Sequence, residues 1–117
     1  MELNKYQSEA MTTCTASSHN LVYMLNGLTA EVGEVNDKVA KGVRKEQIVI
    51  NNNQLELTAP NGDLLVGIRK ELGDCLWFIA GLCDTFGWSL ELIARENLAK
   101  LKSRQKRGVI IGNGDER

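Results

Sequence analysis

The stretch Glu31-Val-Gly-Glu-Val35 and its echo Glu71-Leu-Gly-Asp-Cys75 decide how this 117-residue chain is read. Each runs acid, apolar, glycine, acid, apolar. Within each, the acids stand at i and i+3, about 60° apart on a helix of roughly 3.6 residues per turn. Each acid also sits one position ahead of an apolar stripe with alternating four and three spacings. Leu21, Leu25, Leu28, Val32, Val35 and Val39 form the first stripe, and Ile68, Leu72, Cys75, Ile79, Leu82 and Phe86 the second. If these stripes pack together, Glu31, Glu34, Glu71 and Asp74 lie beside the seam and converge. Glycine lowers helix stability by about 1 kcal/mol relative to alanine, so Gly33 and Gly73 are expected to serve close helix approach.

Four carboxylates brought together repel one another, and either protons or a cation must relieve the charge. An all-oxygen site of this kind suits a hard ion, Mg²⁺ or Mn²⁺. Zinc fits poorly, because His19 is the only histidine and Cys14, Cys75 and Cys83 form no ligand pair. Nor is there a Ser-His-Asp or Cys-His set for nucleophilic catalysis.

Outward from the two acid motifs, the chain reads as all-α with one insert. A first helix is predicted over residues 4–16, with Asn4 and Gln7 spaced as a capping box. A long second helix runs from His19 to Arg44. Residues 46–60 carry two short β-prone runs around Asn51, Asn52 and Asn53, and read as a β-hairpin. A third helix covers Asp63–Phe86 and ends at Gly87. Ser89 caps a fourth, with Trp88 and Ile93 spaced as a hydrophobic staple, and Gly108 closes it. Residues 108–117 read as an extended tail in which Gly112-Asn-Gly-Asp115 forms a turn.

Composition narrows the function classes. Hydrophobic residues make up 43% and charged residues 25%, as in a globular protein, and 117 residues fit a single domain spanning the chain. A net charge of −1 argues against stable nucleic-acid binding. No apolar run has the length of a membrane span. Three unpaired cysteines point to a reducing compartment, and the cytoplasm is the expected location. A helical chain this short leaves apolar surface to cover, so a homodimer or homotetramer is expected.

Around the acids stand candidate cations. Lys38 and Lys41 continue the stripe of Glu31 and Glu34 and can reach phosphate oxygens, against the plainer alternatives of Glu34–Lys38 and surface pairing. Asn97, Lys100 and Arg104 share one face of the fourth helix. The basic run Lys102 to Arg107 reads as a solvated face, and Trp77 as a core residue.

With these residues in place, the chain resembles the MazG-like nucleoside triphosphate pyrophosphohydrolases, an all-α family marked by ExxE followed by ExxD. Glu31/Glu34 and Glu71/Asp74 match those positions. The likeness extends through Leu3-Asn-Lys-Tyr-Gln7, Gly27-Leu-Thr-Ala-Glu-Val-Gly-Glu34, Ser89-Leu-Glu-Leu-Ile-Ala94, Asn97-Leu-Ala-Lys-Leu101 and Arg107-Gly-Val-Ile-Ile-Gly-Asn-Gly-Asp115. It implies a four-to-five-helix antiparallel bundle. The implied activity is cleavage of an NTP or dNTP between the α- and β-phosphates, as nucleotide-pool housecleaning. The four acids would hold Mg²⁺, and Asn97 and Lys100 would lie near the nucleotide. Two departures stand out. Ala30 occupies a place where many relatives carry a further acid, which leaves the general base open between Glu31 and Glu34, and the hairpin lengthens the gap between the acid pairs. The competing reading from another class is a non-catalytic helical interaction module with a structural metal site.

Overall fold

The computed structural model describes residues 1–58 and 60–117, so Ala59, within the expected hairpin insert, lies outside the described residues. Four helices and one hairpin follow in order: α1 (Leu3–Met11), α2 (Leu21–Arg44), β1 (Ile48–Asn51), β2 (Gln54–Leu57), α3 (Gly62–Phe86) and α4 (Leu90–Arg107). The all-α architecture with a small hairpin is the one the sequence predicts.

Local chemistry sets most boundaries. The Asn20 side chain accepts from Tyr23 N at 2.8 Å, so α2 begins at Leu21, two residues after His19. Ser89 accepts from Leu92 N at 3.0 Å and starts α4. Gly87 and Gly108 end α3 and α4 in the left-handed conformation, at φ 73° and 71°. Asn52 and Asn53 take φ 50° and 62°, the two consecutive positive values of a tight hairpin turn, and bring Asn51 opposite Gln54.

Helix α1 departs from its prediction at both ends. It stops at Met11, not residue 16, because the N–H groups of Thr12, Thr13 and Cys14 bond three residues back. The Thr12 and Thr13 hydroxyls close on the same carbonyls, Glu9 O and Ala10 O. Asn4 and Gln7 form no capping box, since Glu2 is the N-cap and makes no side-chain bond. Both residues reach α4 instead. Asn4 donates to Glu91, and buried Gln7 donates to Trp88 O and accepts from Leu90 N.

Helices α2 and α3 pack antiparallel, with contacts in opposite order along the two helices. Gly81 is where Met24 lies, Gly27 is covered by the Phe78 ring, Gly67 by the Lys38 arm, and Gly42 by Leu64 and Ile48. The seam therefore uses Met24, Gly27, Glu31, Lys38 and Gly42 against Leu64, Gly67, Glu71, Asp74, Phe78 and Gly81. Both sets keep helical spacing, yet neither is the predicted apolar stripe. Leu25 and Val32 are 48% and 47% exposed, and Leu72 and Phe86 are 53% and 51% exposed. Gly33 and Gly73 likewise face open space. Each lies two residues past the first acid, about 200° around the helix at roughly 100° per residue, so it cannot share the acids' face.

The buried core is small and sits where α1, α3 and α4 meet, around Ala80, Cys83 and Leu90, with Tyr6, Met11 and Ile93 packed against it. Trp77 belongs to this junction. Its indole N–H lies 3.1 Å from Ala10 O and 2.8 Å from Thr13 Oγ1, and its ring meets Phe78 edge-on. The radius of gyration is 17.5 Å, against about 13 Å for a compact chain of this length. Helix α4 leaves α3 at 102°, and among the described residues no single helix is long and apolar enough to cross a membrane.

The two kinds of glycine respond oppositely to a methyl group. Gly27→Ala places Cβ 2.0 Å from the Phe78 ring and should cost roughly 1–3 kcal/mol. Gly33→Ala meets nothing within 4 Å and should gain about 0.5–1 kcal/mol. Urea denaturation of both variants checks this, and equal effects would count against the seam.

Candidate metal centre

The central turns of α2 and α3 face each other in the seam, and the acids project there from both sides. Carboxylate oxygens of Glu31, Glu71 and Asp74 lie within 4.8 Å of one another. Two helices of 24 and 25 residues, held in register by Gly27 and Gly81, fix the backbone positions. Glu34 is exposed and stands outside this trio, although its charge is felt at Glu31.

Crowding shows in the titration of the site. Desolvation pushes the Glu31 carboxyl above its ordinary range, and the charges of Asp74 and Glu71 add to the rise. Burial raises the Cys75 thiol, and the charges of Glu31 and Asp74 raise it further, which favours its protonated form beside the acids. Tyr6 of α1 also rises, first through burial and then through Asp74. It is a neighbour of the site that helical periodicity does not reveal.

The nearest positive charge is Lys38. Its Nζ lies 3.1 Å from Glu71 Oε1, and the two side chains are 31% and 17% exposed. This is a cross-helix pair, not the Glu34–Lys38 pair of a single helix surface. Gly67 gives the Lys38 arm room, since a Cβ there would stand 3.2 Å from it. Lys41 takes the plainer course and pairs with Asp37 on the exposed surface of α2. His19 bonds Asp84 at 2.7 Å where α2 starts and α3 nears its end, away from the acids.

The α4 candidates gather elsewhere. Asn97 and Lys100 line a surface cavity of about 330 Å³ with Ile93 and Glu96. Lys100 and Arg104 both bond Asp115 Oδ1, each at 3.1 Å, and hold its carboxyl below the usual range. The predicted extended tail is thus a folded loop. Arg117 donates to Val109 O and Gly114 O, and Arg107 donates to Arg117 O. Arg104 is 5% exposed, so the guanidinium works as a buried tie to this loop.

Residues 20–109 match the family described as the MazG nucleotide pyrophosphohydrolase domain. The chain belongs to that family. It is 37% identical over 102 residues to the Gene 37 protein of Mycobacterium phage L5, covering 86% of this chain and 80% of that protein. No solved structure matches it. Membership in the MazG family makes the chain a nucleotide hydrolase of a generally metal-dependent group. The donors on the seam fit that requirement. Three carboxylates with surplus negative charge, joined by no nitrogen or sulfur ligand among the described residues, suit a hard divalent cation.

A carboxyl that titrates high in the folded protein binds its proton more tightly there than in the unfolded chain. Metal-free protein should therefore lose stability as pH rises from the ordinary glutamate range through the raised value. Glu31→Gln should remove that slope and raise Tm at neutral pH. Thermal denaturation across pH in a chelator measures both, and a destabilised variant at pH 7 would contradict the crowding.

Proposed function

We propose that this protein is a Mg²⁺-dependent nucleoside triphosphate pyrophosphohydrolase that cleaves an NTP or dNTP between the α- and β-phosphates. Water adds to the α-phosphorus, and the products are a monophosphate and pyrophosphate. The observation that carries the reading is the convergence of Glu31, Glu71 and Asp74 from two helices. Mg²⁺ held there would neutralise phosphate charge and acidify the attacking water, and Mn²⁺ would suit the same oxygens. With its three free thiols, the protein suits a reducing cytoplasm, and clearing unwanted nucleotides is the role assigned to its activity there.

The chain's own residues divide the remaining work. Glu34 lies outside the trio but near Glu31, which makes it the carboxylate available to accept a proton from water. Lys38 can turn from Glu71 to a phosphate oxygen once a cation neutralises that carboxylate. A cavity of about 560 Å³ opens beside Glu31, with Tyr23, Asn26, Gly27, Ala30 and Phe78 in its wall. Its aromatic rings suit a nucleobase. Ala30, lacking the acid of many relatives, adds no charge to that wall beyond Glu31. Asn97, Lys100 and Arg104 are assigned to the substrate, whose phosphates would compete with Asp115 for Lys100 and Arg104.

The apolar stripes of α2 and α3 support self-association. Leu25, Val32, Leu72 and Phe86 stay exposed in a protomer far from compact, and a homodimer or homotetramer would cover them. Light scattering should report two or four chains, and Leu25→Glu with Val32→Glu should shift the mass toward one.

Pyrophosphate release from a nucleotide panel with Mg²⁺ tests the activity. Glu71→Gln should abolish both turnover and the rise in Tm caused by Mg²⁺. Glu34→Gln should lower kcat by about 10²–10⁴ while keeping that rise. Absence of turnover on every nucleotide would overturn the reading.

A further inference from the structure

The polar stripe of α2 changes sign along its length. Glu31 and Glu34 are followed, at the same alternating spacing, by Lys38, Lys41 and Lys45. All three lysines line one cavity of about 350 Å³, enclosed by the end of α2, the entry to β1 and the first turns of α3. A single acid, Asp63, faces them there, with Gln47 and Gly67 in the wall. Lys41 is held only by its exposed pair with Asp37, an arrangement worth little in water. Among the described residues Lys45 makes no ion pair, and Lys38 joins the cavity to Glu71.

The hairpin completes this site. Ile48 is buried against Gly42, where a Cβ would stand 2.8 Å from Ile48 Cδ1 and 2.7 Å from Leu64. Gln47 donates to Pro60 O at 2.6 Å, and its own carbonyl accepts from Thr58 N. The hairpin base is thereby fixed to α2, and Gln47 at its entry lines the cavity.

We propose that this cavity is a pyrophosphate subsite, which takes the β- and γ-phosphates of the substrate and retains pyrophosphate as the leaving group. The inference rests on the pyrophosphohydrolase reading and adds an occupant for the basic end of the seam. The order of chemistry along α2 supports it. An aromatic cavity reaches Glu31 from one side, the carboxylates follow, and the lysines come last. Glu31 and Lys38 are seven residues apart, about 10 Å at roughly 1.5 Å per residue; Lys41 and Lys45 follow at about 15 and 21 Å, and their flexible arms line the cavity from there. Phosphates beyond the metal centre need positive charge, since the acids repel them, and the lysines supply it as point charges. The site then discriminates by phosphate number, and the hairpin insert is part of substrate recognition.

The test uses inorganic pyrophosphate as probe, with the full chain and Mg²⁺, by isothermal titration calorimetry. Lys41→Ala/Lys45→Ala should weaken pyrophosphate binding at least about tenfold. Lys102→Ala/Lys106→Ala removes the same charge from α4 and should change it less than about twofold. Mn²⁺ affinity and Tm, measured on each variant, should match the wild type and exclude misfolding. Equal losses in both pairs, unchanged binding in the first pair, or no binding by the wild type would each overturn the subsite. Hydrolysis that persists while pyrophosphate ignores Lys41 and Lys45 removes the subsite alone. The predicted binding pattern without hydrolysis of any nucleotide keeps the subsite and removes the activity.

Discussion

Mutual repulsion among Glu31, Glu71 and Asp74 is the constraint around which the α2–α3 seam is built. Three carboxylates within 4.8 Å oppose helix packing wherever they carry charge together, and the seam is held closed from its two ends. At one end Met24 and Phe78 fill the spaces left by Gly81 and Gly27. At the other, Leu64 and Ile48 close on Gly42. Between them Lys38 supplies an internal countercharge to Glu71. The helices are long because the packing that offsets the repulsion has to lie beyond it.

That arrangement explains which parts of the molecule were legible in the sequence. Caps and turns depend on local stereochemistry, so Ser89, Gly87, Gly108 and the hairpin asparagines could be read directly. The acid motifs were legible too, through repetition and helical spacing. The seam partner of each helix was not. Periodicity identifies an apolar face without saying what covers it, and much of the visible stripes, Leu25, Val32, Leu72 and Phe86 among them, stays on the outer surface. The true seam contains glycine, glutamate and lysine, which a hydrophobic pattern passes over. Asn4 and Gln7 misled for a related reason: capping-box spacing also places two side chains where they can bond another helix.

The position of the cations bears on how the acids would be used. Lys38 shares the seam with Glu71, whereas Lys100 and Arg104 are committed to Asp115 across the turn at Gly108. Residues that look equivalent as phosphate ligands in a linear reading thus occupy different structural settings. One belongs to the carboxylate face, and the others organise the chain's closing loop. The separation follows from the 102° turn between α3 and α4, which carries α4 away from the line of α2.

Trp77 holds α1 through its indole N–H, one turn beyond Asp74, while Trp88 lies stacked on Phe86 with its face half open to solvent. The two indoles thus sit in contrasting optical environments, one polarised by fixed acceptors and one wet. With no other tryptophan in the chain, its emission spectrum divides into a signal from the α1–α3 joint beside the carboxylates and a signal from the α3–α4 corner. Movement of α1 is therefore visible to light without any attached label.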